Sequence, residues 1–164
     1  MKYIYLLLFI VFLLTGLYHR SEVTGIFYYN NDLIQQNETH FFNLRQLTFS
    51  GENAEAYFSL DGKKLIFQGH NIDSLCDQIY IMDISTGKTE MVSTGFGVTT
   101  CGYFLYPNCE KAVYASTHLV NKNCPQKPDY SKGYVWKLYP DYDIFLTDLK
   151  TKRIRQLTNS NGYD

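Results

Sequence analysis

Apolar and polar residues alternate with a period of two over much of this chain, which is the pattern of half-buried strands. Residues 54–60 and 64–68 interleave in this way around LDGK, where Asp61-Gly62 supplies the positive φ of a tight hairpin. QIYIMDI (78–84) and DIFLTDL (143–149) are rich in β-branched and aromatic residues. The polar turns STGK (85–88) and KTKR (150–153) lead them into TEMVS and IRQLT. Helical periodicity is almost absent beyond the first 20 residues, so the pattern predicts strands joined by tight turns.

The strands come in two copies. LRQLTFSGENAEAYFSLDGKKLIF (44–67) is echoed by EMVSTGFGVTTCGYFLYPNCEKAVY (90–114), and RQLT at 45–48 returns at 155–158. Tyr57-Phe58 and Tyr103-Phe104 stand 46 positions apart, which suits a four-stranded propeller blade of roughly 40 to 45 residues and its connecting turn. In the second copy Pro107-Asn108 takes the slot of Asp61-Gly62, and Asn tolerates the left-handed conformation that the turn needs. The second copy is also longer, with its extra residues between Ala115 and Asp141. The expected fold is therefore all-β: two four-stranded antiparallel propeller blades, an incomplete β-propeller, after an N-terminal hydrophobic helix. Blade one covers about 54–94 and blade two about 99–158, with an insertion at 118–141. RQLT at 45–48 reads as an outer strand without a blade of its own, and NSNGYD (159–164) stands where a third blade would begin. Two blades alone leave unpaired edges, so the reading expects the N-terminal part of a larger propeller.

These residues resemble the TolB-like β-propeller repeat. YFSLDGKKLIF followed by QIYIMDISTGKTEMVST is similar to its pattern of Ser-Pro-Asp-Gly-Lys, a second strand, Ile-Tyr-x-Met-Asp and Arg-x-Leu-Thr, with Leu60 in place of the usual proline. Tyr106-Pro107-Asn108 departs further from the Pro-Asp-Gly core. The resemblance spans 43–164. It implies a scaffold between envelope lipoproteins and inner-membrane machinery, without cofactors. The alternative it leaves open is the propeller portion of an exported hydrolase like the prolyl oligopeptidases, with its catalytic domain elsewhere.

The N-terminus bears on the compartment. Lys2 precedes an apolar run of 16 residues, Tyr3 to Tyr18, and His19-Arg20 follows. This run is shorter than the ~20 apolar residues of a typical membrane span and resembles a secretory signal. No clean cleavage site follows it, so residues 1–20 read as a signal peptide or an uncleaved membrane anchor acting through residues 3–18. Residues 21–42 form a polar linker. The expected location is periplasmic or extracellular.

Charge argues against a nucleic-acid partner. The chain has 15 basic and 16 acidic residues, and without Lys2 and Arg20 the balance is 13 against 16, which offers no phosphate-tracking surface. The usual catalytic signatures are missing as well: no G-x-S-x-G, no H-E-x-x-H and no G-x-x-x-x-G-K-[ST]. Gly95-Phe96-Gly97 is too short to mark a nucleotide site. No enzyme is expected within these residues.

Four cysteines in an exported chain suggest a disulfide. In a blade of alternating strands, Cys76, Cys101 and Cys124 fall on one face and Cys109 on the other. Cys101–Cys124 and Cys76–Cys124 are both open, and the reading favours Cys101 with Cys124. His70 and His118 end strands on the same face, but their spacing matches no recognised zinc motif, and no metal is expected.

The insertion is the best candidate for a binding surface. Residues 118–143 hold the chain's one Trp, four tyrosines, four lysines and three of its four prolines. Loops of this length in compact domains are usually functional or disordered, and aromatics with a polar tip anchor interfaces. Tyr130, Tyr134, Trp136 and Tyr139 are the candidates for contact with a protein or peptide partner. The competing reading folds them back as a lid over the edge of blade two.

Overall fold

The computed structural model describes residues 33–72, 76–126, 128–135 and 137–164. The segment read as a signal or anchor lies outside the described residues, as do most of the linker and Trp136. Among the described residues there are eight strands, and no helix is long and apolar enough to cross a membrane.

The strands are β1 (Glu52–Phe58), β2 (Lys64–His70), β3 (Gln78–Asp83), β4 (Thr89–Met91), β5 (Thr99–Phe104), β6 (Lys111–Ser116), β7 (Asp143–Asp148) and β8 (Ile154–Gln156). They form two four-stranded sheets in the orders β1-β2-β3-β4 and β5-β6-β7-β8, antiparallel throughout. Each is a simple meander, as the turn spacing predicts. The outer strands are only three residues long, shorter than TEMVS and IRQLT suggest. In the RQLT segment at 45–48 only Arg45 forms a bridge, so the expected outer strand there is not built.

The repeat is preserved in register. Tyr57 pairs with Ile66 as Tyr103 pairs with Val113, Phe67 with Tyr80 as Tyr114 with Phe145, and Ile66 with Ile81 as Val113 with Leu146. Even the irregularity repeats. The β1–β2 and β5–β6 ladders both slip just before the tyrosine, and each slip holds a residue at positive φ, Glu55 at 50° and Cys101 at 54°. An extra residue of this kind bends the strand and turns the side chains around it out of alternation. The two β-hairpin turns differ from expectation in one detail: the left-handed residue of the second is Cys109 (φ 52°), not Asn108. That turn has one more residue than the first, and the extra residue moves the left-handed position along the chain.

The core lies between the sheets. Ile66, Ile79 and Val92 of the first meet Phe104, Ala112, Tyr114 and Phe145 of the second. Gly102 lets them approach, since a Cβ there would stand 2.8 Å from Cγ2 of Ile79. The opposite side of the first sheet carries Phe67, Tyr80 and Met82, which share a cleft with Leu47, Thr48 and Phe49.

The turns after β3 and β7 are built on one aspartate each. Asp83 Oδ1 accepts from the amides and hydroxyls of Ser85 and Thr86, and Asp148 Oδ1 from the amides of Lys150 and Thr151 and the Thr151 hydroxyl. These bonds favour the charged form. The Ser85 hydroxyl, with the Thr86 amide, holds Asp83 down from 3.8 to about 2, and the Thr151 amide and hydroxyl lower Asp148. Because the folded value is depressed, the stabilisation is complete above the unfolded value and is lost as pH falls through the folded one. The melting temperature should therefore drop between pH 3.8 and about 2, and an Asp83→Asn variant should show a shallower drop over that window.

Candidate functional site

The two sheets pack face to face and are bonded to each other where β3 and β5 begin, and the insertion is rooted there. The Asp77 carbonyl accepts from both the amide and the hydroxyl of Thr99, at 3.0 and 3.1 Å. Buried Gln78 donates to the Gly97 carbonyl at 2.9 Å and accepts from Ser93 and the Gly95 amide. Gly97 then reaches into the insertion, donating to the Lys122 carbonyl at 2.8 Å. At φ +62° its missing Cβ would lie 2.7 Å from Thr117 Oγ1 and 2.8 Å from the Asn121 carbonyl. The Gly-x-Gly that looked too short for a nucleotide site thus serves as a close packing point.

These bonds decide the disulfide. The Asp77–Thr99 pairing draws the residue before it, Cys76, against the base of the insertion, and Cys76 is bonded to Cys124 with their Cα atoms 5.5 Å apart. This corrects the expectation of Cys101 with Cys124. Cys101 is a free, exposed thiol beside the Thr100 hydroxyl, and its amide donates to Gln68. The repeated slip in β5 puts it in a left-handed conformation, which alternation along the strand does not foresee. Cys109 lies at the far end of the sheets, where its sulfur accepts from the Leu60 amide.

The insertion and the sheet ends enclose a cleft of about 360 Å³. Glu52, Gln68, His70 and Asp77 line it from the first sheet, Val98 to Thr100 from the second, and Tyr130, Tyr134, Lys137, Tyr139 and Tyr142 from the insertion. Asp77 is held by His70 Nδ1 at 2.5 Å and by Gln68 at 3.2 Å. Tyr142 is buried beneath the cleft, edge-on to Tyr163 at 5.4 Å, and burial pushes its hydroxyl well above the ordinary tyrosine value. It stays a neutral donor at any working pH.

The four aromatic candidates part company here. Tyr139 is structural in part, since its hydroxyl donates to the Gln126 carbonyl at 2.7 Å and its ring lies 6.4 Å from Tyr142. Tyr130 and Tyr134 are exposed, 48% and 78%, with rings parallel within 10° and centroids 6.0 Å apart. Trp136 lies outside the described residues. The insertion is thus neither a plain lid nor a free loop: its base is tied down and its tip presents aromatic surface.

The two strand-end histidines do not converge. His70 is engaged by Asp77, whereas His118 bonds Ser116 Oγ and packs 4.3 Å from the Phe145 ring, where burial lowers its pKa. Among the described residues no three His, Cys, Asp or Glu side chains form a metal-holding group. Glu52 and the His70–Asp77 pair were missed as cleft residues. No local motif marks them, because only the packing of the two sheets brings them beside the insertion.

No protein family and no curated protein matches the sequence. Several solved structures are similar to it in fold. Two of them are TolB structures by title. TolB from Acinetobacter baumannii shares 18% identity at a TM-score of 0.42, over 70% of this chain and 23% of its own. A protein assigned as TolB in Agrobacterium tumefaciens shares 18% at a TM-score of 0.49, over 73% of this chain and 39% of its own. The chain spans well under half the length of either.

Proposed function

We propose that the two sheets are blades of an incomplete β-propeller that works outside the cytosol as a non-catalytic module binding a protein partner through the insertion-lined cleft. The observation that carries this reading is the aromatic tip itself: two exposed, parallel tyrosine rings on a loop whose base is stapled to the neighbouring sheet. Large aromatic area held at low entropic cost is what interface hot spots are made of.

The propeller reading is supported by register. The residues that the first sheet buries against the second, Ile66, Ile79 and Val92, correspond to Val113, Ile144 and Leu157 in the second. Those counterparts are half-buried or exposed. The second sheet therefore presents again the surface that the first has already used, as repeated blades do. The Cys76–Cys124 bond supports an oxidising compartment. The TolB-like sequence pattern makes an envelope lipoprotein the candidate partner, with residues 3–18 holding the chain at the membrane.

Tyr130→Ala with Tyr134→Ala should weaken capture of an envelope partner by at least about tenfold, with an unchanged melting temperature. Equal capture by the variant and the parent chain would refute the assignment of the cleft.

A further inference from the structure

We propose that the cleft recognises a cationic side chain of the partner, arginine in preference to lysine. The inference rests on the binding role above and names what that role recognises. Aromatic ring faces are negative in their quadrupole and attract a cation within about 6 Å of the centroid. Tyr130 and Tyr134 bring two such rings to the cleft in parallel and expose them to solvent.

A second observation shows the same chemistry at work within the chain. The Lys137 ammonium lies over the Tyr139 ring at 5.0 Å from its centroid, and both residues line the cleft. The site therefore already takes one cation on a tyrosine face.

The carboxylates complete the picture. Asp77 is engaged by His70 and Gln68, whereas Glu52 lines the cleft as an exposed residue at the start of β1. It is the carboxylate positioned to meet an incoming charge. A guanidinium suits this combination better than an ammonium, since its plane stacks on a ring while its fork meets a carboxylate with two hydrogen bonds. An acidic side chain would face Glu52 and the negative ring faces together. An aliphatic one would leave Glu52 to lose water without a partner. Lys137 works against an incoming cation and must give way to it.

The test is a titration of the full chain, labelled at its tyrosine rings, followed by nuclear magnetic resonance. The probes are acetylated pentapeptide amides of four glycines around a central arginine, lysine, citrulline or glutamate; lysine is expected to bind more weakly than arginine, and equal or tighter lysine binding overturns the stated preference. The arginine peptide is expected to shift the Tyr130 and Tyr134 signals saturably. Citrulline, which keeps the shape without the charge, should bind at least about fivefold more weakly. Tyr134→Ala and Glu52→Gln should each weaken arginine binding about threefold to tenfold, and Lys137→Ala should tighten it about twofold, with all three effects shrinking in high salt. Citrulline or glutamate binding at the same rings as tightly as arginine overturns the cationic reading and leaves a binding cleft standing. The absence of any saturable shift overturns the cationic reading too, and the partner-capture experiment with the tyrosine variants then decides separately whether the cleft binds at all.

Discussion

Tyr114→Ala is expected to cost about 4 to 6 kcal/mol, the sum of a large core cavity and an orphaned hydroxyl. The ring of Tyr114 is fully buried between the sheets, beside Phe145 at 6.2 Å. Its oxygen accepts from Thr147 Oγ1 at 3.2 Å, and Thr147 is itself buried. Removing the side chain empties the interface and strips the Thr147 hydroxyl of this acceptor in a dry setting. Tyr114→Phe separates the two effects, keeping the ring and costing about 1 to 2 kcal/mol. Since whole domains are stable by only about 5 to 15 kcal/mol, the alanine variant should lose about a third or more of the stability and unfold at a much lower urea midpoint, whereas the phenylalanine variant should shift the midpoint only slightly. Equal midpoints for the two variants would mean that the ring does not fill the intersheet core.

Cys76→Ser with Cys124→Ser has the second largest expected effect. The bond closes a loop of 48 residues, and the chain-entropy relation gives about 4 kcal/mol for a loop of that size. Urea unfolding with and without reductant should show this loss in the parent chain and none in the variant. The loss should also reach the cleft, because Cys124 fixes the base of the insertion that carries Tyr130 and Tyr134. Limited trypsin digestion should then cut the variant within the insertion, where Lys132 and Lys137 are exposed, before it cuts the sheets. Cys101→Ser should leave both measurements unchanged. A reductant effect that vanished with Cys101→Ser would restore the pairing that the sequence favours.

That contrast shows what the sequence makes legible. Strands and turns are local events, so the β-rich runs LIF and IYI, the polar turns after β3 and β7, and the 46-residue spacing of Tyr57 and Tyr103 could be read directly. The two rings even meet, with centroids 4.9 Å apart. Pairing of cysteines is not local. It depends on the bonds from Thr99 to the Asp77 carbonyl, which join the start of β5 to the start of β3, and on a left-handed residue at Cys101 that no propensity marks. The outer strand expected at 45–48 fails for a related reason: RQLT has strand chemistry, but a strand needs a neighbour across the ladder, and only Arg45 finds one.

The candidate site was legible by composition rather than by geometry. A long segment dense in Tyr, Lys and Pro pointed to the insertion, and Tyr130 and Tyr134 do present their rings. Composition could not show that Tyr139 spends its hydroxyl on the Gln126 carbonyl, or that Glu52, some 80 residues earlier in the chain, completes the wall.

Site-specific photo-crosslinking tests the central claim most directly. A benzophenone side chain placed at Tyr134, at the insertion tip, should capture one partner protein from the cell envelope. The same group placed at Leu60, exposed in the turn at the far end of the sheets beside Cys109, should capture none. Capture from Leu60 but not from Tyr134, or the same adducts from both, would contradict the account.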